Sequence, residues 1–210
     1  MRSDVLLVAR PGRGPHIECA GGLAARRTEP DVVHLLSAAA TPLGGDVISV
    51  RIVVEAGARL RVRSVAASVV LPGAGSLVSH SCWDLEVAGE LDLDPRPTVI
   101  AGGARHHTST RLQVEQNARA RVRESVQIGR TGEDHGFWTS ALHADVDGIA
   151  LLRHRVELGA GSVADDELGT PRACVSELRY PETGFDSVGT VLALAGGGSL
   201  STWQGQRLGG

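Results

Sequence analysis

Apolar and polar residues alternate along several short stretches of the chain, which is the pattern of β-strands. Residues Arg59–Arg63 read Arg-Leu-Arg-Val-Arg, and residues Arg119–Arg123 read Arg-Ala-Arg-Val-Arg. Because successive side chains of a strand point to opposite faces, the arginines share one face and the apolar residues share the other. The stretch Asp46–Val54 is apolar and β-branched, with Ser49 and Arg51 at alternate positions. The pattern therefore predicts strands in all three places.

Two of these strands belong to a repeated unit. Residues Val54–Arg63 match residues Val114–Arg123 at an offset of 60 residues, and Val156–Val163 repeats the first half of the unit. In each copy a Val-Glu pair ends one strand, and Gly or Asn stands at the turn, where it tolerates a positive φ. Such units predict an all-β fold of coiled, solenoid-like sheet layers. Three unrelated hairpins that share a biased composition are the alternative.

Two further segments carry weaker signals. In the segment Gly89–Pro97, acidic residues alternate with leucine before two prolines, which predicts a strand that runs out into a surface loop. Residues Ala164–Tyr180 are expected to supply a minor helical part. Asp165 or Asp166 would cap a short helix there, and Pro171 would stand at a first helical position.

Length and composition fit one domain over residues 1–210, with a Gly-rich, loosely ordered tail over residues 196–210. Glycine is abundant, with 27 residues, whereas aromatic residues make up only 3% of the chain. The core must therefore be filled by Val, Leu, Ala and Ile, which favours strands. A base-composition bias of the genome would produce the same excess of small residues.

The charge balance excludes two classes of protein. The net charge is −3 with a pI near 6.2, and all 21 cationic residues are arginine. A dedicated nucleic-acid binder would show a domain pI above about 9, and a membrane-surface protein would carry a polybasic cluster. No run approaches the ~18 apolar residues of a transmembrane helix, and Val5–Ala9 is too short for a signal peptide. We therefore expect a cytoplasmic protein with neither a nucleic-acid nor a membrane partner.

Histidine is the first candidate for metal chemistry. His106 and His107 are neighbours on a predicted strand and point to opposite faces, so they do not share one ion. His143, Asp145 and Asp147 lie at alternate positions and offer a weak N/O/O set for a divalent ion. Solvated or hydrogen-bonded side chains are the other interpretation of that trio, and no metal site is certain.

Motifs of nucleophilic and phosphate-binding chemistry are missing from the sequence. It contains no GxSxG, HExxH or Walker A motif. The cysteines at positions 19, 82 and 174 are far apart and odd in number, which predicts free thiols. The arginine-bearing strands could meet phosphate, but the acidic total favours a solvated, salt-bridged sheet face.

Three carboxylates stand in apolar or glycine-rich surroundings. Asp46 follows two glycines and leads into a long apolar strand, Glu124 ends an alternating strand, and Glu133 shares a short turn with an arginine. A carboxylate in such a place must be paired, hydrogen-bonded or part of a polar interior path. The residues that share short turns with Asp46 and Glu133 are Gly44, Gly45, Gly129, Arg130 and Gly132.

Taken in order, these motifs resemble those of the UreD family of urease accessory proteins. The matching segments are Gly21–Arg26 (an early strand), Thr41–Asp46 (a Gly-Gly-Asp motif), Ser64–Ser68 (a Ser-rich strand), Glu90–Ile100 (an acidic-proline segment) and Val126–Glu133 (a Gly-Arg and Gly-Glu block). No single motif is strong, but the ordered set is specific.

The resemblance implies a non-enzymatic scaffold and chaperone in the maturation of the nickel enzyme urease. Proteins of this family bind apo-urease and the accessory protein UreF, which recruits the GTPase UreG, and nickel then passes to the active site. The family fold is predominantly β with a small helical part. By position in the motifs, Asp46, Ser64, Glu124 and Glu133 are the candidates for a polar route for nickel. The resemblance also implies a structural role for the motif residues Gly44, Gly45, Gly129, Arg130 and Gly132. Transfer suits weak, successive oxygen ligands, so we expect no tightly bound cofactor and nickel only in transit.

Two other function classes stay open at this point. A β-fold hydrolase with an acid pair would need two carboxylates about 5–10 Å apart in a cleft. A phosphate or nucleic-acid binder built on the arginine-bearing strands would lose affinity steeply with salt. Neither class has a supporting motif in the sequence.

Overall fold

Two β-sheets make up the part of the chain that the computed structural model describes, which is residues 1–163, 165 and 170–209. Sheet A contains, in spatial order, β14 (Ile149–Gly159), β13 (Phe137–Val146), β11 (Arg105–Val114), β8 (Val78–Val87), β5 (Val47–Val54), β1 (Arg2–Ala9) and β2 (His16–Ala20). Sheet B contains, in spatial order, β16 (Thr190–Ala193), β17 (Ser199–Gly205), β15 (Ala173–Tyr180), β12 (Arg119–Ile128), β9 (Glu90–Leu93), β6 (Arg59–Ser64), β4 (Val32–Ser37) and β3 (Leu23–Glu29). Two short strands, β10 (Thr98–Ile100) and β7 (Ser68–Val70), continue sheet B beside the second half of β12.

The chain coils from one sheet to the other and back. Strand β5 of sheet A leads to β6 and β7 of sheet B, β8 leads to β9 and β10, and β11 leads to β12. Equivalent strands of successive turns pair in parallel and in register, so that Val54 lies beside Val87 and Val87 beside Val114. The predicted all-β, solenoid-like arrangement is confirmed.

The 60-residue offset spans two turns of this coil. The matching corners are the four-residue segments 55–58 and 115–118, whereas the corner between them, Ala88-Gly89, has only two residues. This shorter corner is equivalent to the other two in the fold, but its sequence is too different from theirs to be recognised as a repeat. The third copy, Val156–Val163, is not a corner of the coil, so that part of the prediction is wrong. Strand β14 instead pairs antiparallel with β13.

Two predicted features near the C-terminus are corrected. Residues Ala173–Tyr180 form β15, because their alternation lets them pair antiparallel with β12, and this pairing overrides the local helix-cap signals. No helix, and hence none able to cross a membrane, is present in the described part of the chain. Ala164 and residues 166–169, which belong to the predicted helical part, lie outside the described residues. In the tail, Ser199–Gly205 forms β17 and pairs with β15, so this segment is ordered rather than loose.

The core lies between the facing sides of the two sheets and has two apolar clusters. The larger cluster is centred on the first turns of the coil and includes Ile52, Leu60 and Leu85, all fully buried. The smaller cluster packs around Trp138 and Ile128. Full burial of one large apolar side chain contributes about 1.5–3 kcal/mol, so these clusters hold the sheets together.

Candidate functional site

A band of polar side chains crosses the interior between the two apolar clusters. Ser81 on β8, Thr108 on β11 and Ser140 on β13 lie in register across sheet A and are buried. Glu124 on β12 and Ser176 on β15 lie in register in sheet B. We call these five residues the polar band. They occupy inward positions on strands whose other inward residues are mostly apolar, which places hydroxyl and carboxyl oxygens inside the molecule.

Glu124 is the acidic residue of the polar band. Its Oε2 accepts a hydrogen bond of 2.7 Å from the Ser140 hydroxyl, and the nearby Thr108 hydroxyl also favours its charged form. Burial raises the pKa of Glu124 to about 7, although both hydroxyl groups act in the opposite direction. The small part of the side chain that is accessible borders interior cavities. This carboxyl group therefore changes its charge near neutral pH inside the protein.

A cavity of about 430 Å³ adjoins the polar band. Apolar side chains such as Leu35, Ile48 and Leu93 line much of its wall. At its outer end lie the exposed residues 65–67 and Arg96, which belong to loops at the surface. The cavity therefore joins the surface of the protein to the carboxyl group of Glu124.

A second cavity, of about 30 Å³, lies against Glu124 and is lined by Thr110, Ser140, His154 and Ser176 among others. Nε2 of His154 is buried and has no hydrogen-bond partner within the described residues. This space is large enough for one water molecule, and polar atoms surround it. This second cavity thus connects the polar band to the imidazole of His154.

Ser64, a predicted route residue, borders the large cavity together with Glu124. Its hydroxyl donates to the carbonyl of Ala66 at 2.9 Å and accepts from the backbone N–H of Arg96 at 2.8 Å. The segment Ser64–Ser68, which was expected to be a strand, is mainly the loop between β6 and β7, because Ser64 bonds locally instead of extending the strand. Two of the four candidates therefore share one cavity.

Asp46, another predicted route residue, closes a loop instead of lining the cavity. Its carboxylate accepts hydrogen bonds from the Thr41 hydroxyl at 2.8 Å, the Leu43 N–H at 2.9 Å and the amine of Met1 at 2.6 Å. Burial raises the pKa of Asp46, but these hydrogen bonds outweigh it and hold the pKa below its usual value. Its contacts explain the position as an anchor for the Gly-Gly-Asp loop.

The two glycines of that loop stand where a larger residue would clash or would be strained. A Cβ on Gly44 would lie 1.8 Å from the carbonyl oxygen of Ser76, so no other residue fits there without movement of the backbone. Gly45 has a φ of +91°, a conformation that glycine adopts at little cost. These positions therefore fix the entry to β5.

Glu133, the fourth candidate, holds a second loop together. It forms an ion pair with the Arg130 guanidinium and accepts backbone hydrogen bonds from Gly102 at 2.8 Å and Arg130 at 3.2 Å. The hydrogen bonds from Arg130 and Gly102 lower the pKa of Glu133 to about 2. Gly129 and Gly132 both have positive φ in this turn. This set does not line the described cavities, so Glu133 is a loop anchor like Asp46.

The weak metal candidates His143, Asp145 and Asp147 do not form a site. Asp145 accepts from Gln113 and pairs with Arg153, while Asp147 lies in a tight turn with a φ of 48°. Within residues 1–163, 165 and 170–209, no three His, Cys, Asp or Glu side chains are grouped closely enough to hold a metal ion. Asp145 instead pairs with an arginine, and Asp147 accepts a hydrogen bond from a backbone N–H group.

The arginine-bearing strands face the outside of sheet B and are neutralised there. Strand β9 lies between β6 and β12 and places its acidic residues beside both sets of arginines. Arg121 contacts Asp92 at 2.9 Å and the nearly buried Glu177 at 2.8 Å. Arg61 contacts Asp31 at 2.8 Å. The predicted salt-bridged sheet face is confirmed, and it gives no support to a phosphate-binding surface.

The neighbouring histidines lie on opposite faces of β11, as predicted. His106 is buried and its Nδ1 lies 2.8 Å from the Ser79 hydroxyl, and burial lowers its pKa to about 4. His107 lies on the outer face beside His80. Only His106 borders the large cavity.

Sequence reasoning found Glu124 but missed its partners. The missed residues are Ser81, Thr108, Ser140, His154 and Ser176. The sequence does show polar residues at alternate positions of otherwise apolar strands, for example in Thr108-Ser109-Thr110. Alternation alone does not show which face is buried, so these hydroxyls could not be told from surface residues.

The fold and the site define a coiled two-sheet protein with a cavity that reaches a band of polar side chains in its interior. The family model described as UreD urease accessory protein matches residues 18–198, and the chain belongs to this family. It is similar to the urease accessory protein UreD of Frankia alni, with 45% identity over 205 residues that cover 85% of this chain and 69% of that protein. The urease accessory protein UreD 1 of Saccharopolyspora erythraea is 34% identical over 190 residues, which cover 86% of this chain and 74% of the relative. The urease accessory protein UreD of Frankia casuarinae is 38% identical over 213 residues, which cover 92% of this chain and 66% of that protein.

Proposed function

We propose that this protein is a scaffold and chaperone of urease maturation in the cytoplasm. In this proposal it binds apo-urease and UreF, UreF brings the GTPase UreG, and the assembly supports nickel insertion into the urease active site. Membership of the UreD family supports the role in maturation. The protein acts in this role as a binding partner and not as an enzyme.

The cavity that joins Ser64 to Glu124 is the observation that supports a direct role of this protein in nickel transfer. A nickel ion in transit needs oxygen ligands that bind weakly and in succession. The hydroxyls of Ser81, Thr108 and Ser140 and the carboxylate of Glu124 supply such oxygens. Above its pKa of about 7, Glu124 carries a negative charge that attracts the cation. We therefore place the route through the polar band.

Asp46 and Glu133 act on this route only indirectly. Their carboxylates are engaged by backbone N–H groups, with the Met1 amine on Asp46 and the Arg130 guanidinium on Glu133, so they are not free to bind a passing ion. They hold loops at the ends of strands that carry the cavity wall. We propose that they are structural supports of the site.

Assembly is tested by co-expression of the protein with the urease subunits and UreF, followed by a pull-down. We expect a complex that contains apo-urease and that retains UreG only when UreF is present. If no complex forms, and if deletion of the protein leaves urease activity unchanged, the proposal is wrong.

The route is tested with Glu124→Gln, which keeps the side-chain shape and an acceptor for Ser140 but removes the charge. We expect an unchanged complex in the pull-down and a lower nickel content of the urease it contains. Glu133→Gln is the matched control, because it removes a carboxylate that lies outside the cavity, and it should affect loop stability more than nickel content. If Glu124→Gln prevents assembly, Glu124 is a structural residue.

The alternative of a hydrolase with an acid pair receives no support from the cavity. Glu124 is the one carboxylate among the described residues that line it. A general acid and base pair needs a second carboxyl group about 5–10 Å away in the same cleft. The lining hydroxyls of Ser81 and Thr108 do not substitute for it.

A further inference from the structure

The outer face of sheet A carries a pair of histidines that the proposed function does not use. His80 on β8 and His107 on β11 lie in register on adjacent parallel strands. Their rings are stacked, with centroids 5.2 Å apart and planes inclined by 27°. We propose that these two imidazoles form a surface site for a divalent transition-metal ion such as Ni²⁺.

The backbone places both side chains on one side of the sheet. Neighbouring strands are about 4.8 Å apart, so two in-register side chains leave the sheet close together and parallel. In the proposed site, each ring directs one nitrogen toward a shared ion. Within the described residues, neither ring has a hydrogen-bond partner, which leaves its nitrogens available as ligands.

The chemistry of the pair suits borderline metal ions. Neutral imidazole is a good ligand for nickel, copper and zinc, whereas magnesium and calcium prefer oxygen. Water completes the coordination sphere, because His80 is exposed and the pair faces solvent. A site with two protein ligands releases its ion readily.

The surroundings orient the pair and also limit its affinity. The ring of Phe137 lies 6.2 Å from that of His107 and restricts its movement. The guanidinium of Arg105 lies over the ring of Phe137, 4.1 Å from its centroid. Its positive charge disfavours the binding of a metal ion nearby. Glu157, the acidic residue on this part of the sheet, is paired with Arg155. We therefore expect weak, exchangeable binding.

This inference goes beyond the proposed function and does not depend on it. The two sites lie on opposite faces of β11, since His106 points to the cavity and His107 to the outside. Failure of nickel transfer through the interior would leave the surface pair untouched. Binding is accordingly measured on the isolated full chain without a histidine tag.

The test is a titration with nickel chloride, followed by calorimetry and by NMR of the imidazole groups. The wild-type protein is expected to bind one ion, and the paramagnetic ion should broaden the signals of His80 and His107 first. His80→Ala and His107→Ala should each weaken binding about tenfold, equivalent to about 1.4 kcal/mol. His80→Phe should weaken it equally, because it keeps an aromatic ring on His107 but has no ligand nitrogen.

His143→Ala is the matched control, since His143 is also exposed on sheet A but stands between arginines on both neighbouring strands. It should leave nickel affinity unchanged, and Cys82→Ser, which removes the thiol two residues from His80, should do the same. Absence of binding by the wild-type protein would overturn the proposal. So would first broadening at His143 or His16, or affinity that survives the loss of either member of the pair.

Discussion

The same two strands form an apolar contact at one end and a polar one at the other. On β8 and β11, Leu85 lies beside Leu112, whereas four residues earlier Ser81 lies beside Thr108. All four side chains point into the interior and are buried. The backbone pairing is identical at both ends, so it cannot explain the difference. The leucines stabilise the coil through burial, and the hydroxyls leave space and oxygens for a ligand.

The polar end is less favourable for stability. Burial of a hydroxyl or carboxyl group costs free energy unless hydrogen bonds compensate for it. Glu124 has such a bond from Ser140, yet its pKa is still raised, because desolvation outweighs the bond. A protein selected only for stability would place apolar residues here, as it does around Leu85. The polar band is therefore better explained by function than by packing.

The largest effect is expected at the apolar end. Leu85→Ala should lower the free energy of unfolding by about 2–5 kcal/mol, because it removes a fully buried side chain and leaves a cavity. Denaturant unfolding followed by circular dichroism measures this. The control is Leu192→Ala, an exposed position where a change within about 0.5 kcal/mol is expected. Equal losses at both positions would contradict the description of the core.

A pH-dependent effect is expected from Glu124. Its carboxyl group has a usual pKa of 4.5 and a pKa of about 7 in the folded protein, so between these values the folded state holds one proton more. The contribution of the group to stability is full below pH 4.5 and falls as the pH rises through 7, by about 3 kcal/mol in total. Glu124→Gln should remove this fall, so the difference in unfolding free energy between the two proteins should change with pH. If this difference in unfolding free energy stays constant from pH 4.5 to 8, the raised pKa of Glu124 is refuted.

A smaller effect is expected from the hydrogen bond to Glu124. Ser140→Ala should lower the free energy of unfolding by about 1 kcal/mol, since it removes one buried hydrogen bond. It should also raise the pKa of Glu124 further, because the Ser140 hydroxyl stabilises the charged form. Ser109→Ala, at an exposed position on the neighbouring strand, is the control and should change neither quantity. An unchanged Glu124 titration in Ser140→Ala would show that the bond is not formed in solution.

Much of the fold could be predicted from alternation, but only where a strand has one polar face. Arg59–Arg63 and Arg119–Arg123 follow this rule and were predicted as strands with their arginines outside. The short corner Ala88-Gly89 was missed because it lacks two of the four residues found in the other corners. Strand β15 was mistaken for a helical part, because its partner β12 lies about 50 residues away in sequence and local signals do not report such pairing.

The site could be predicted only in part for the same reason. Glu124 stood out as an acidic residue in an apolar strand, and its cavity partner Ser64 entered through a family motif. Asp46 and Glu133 have the same sequence character but satisfy their charges in loops. Which carboxylate faces the interior depends on how the coil stacks, and this information is spread over three turns of the chain.

The proposed route depends on a buried carboxyl group in the polar band that titrates near neutral pH and can meet a cation there. An NMR titration of ¹³C-labelled glutamate side chains tests it directly, with Glu124→Gln to assign the signal. We expect a midpoint near pH 7 for Glu124. A midpoint near the usual value of 4.5 would contradict it, because the carboxyl group would then be solvated and the interior band would not exist in solution.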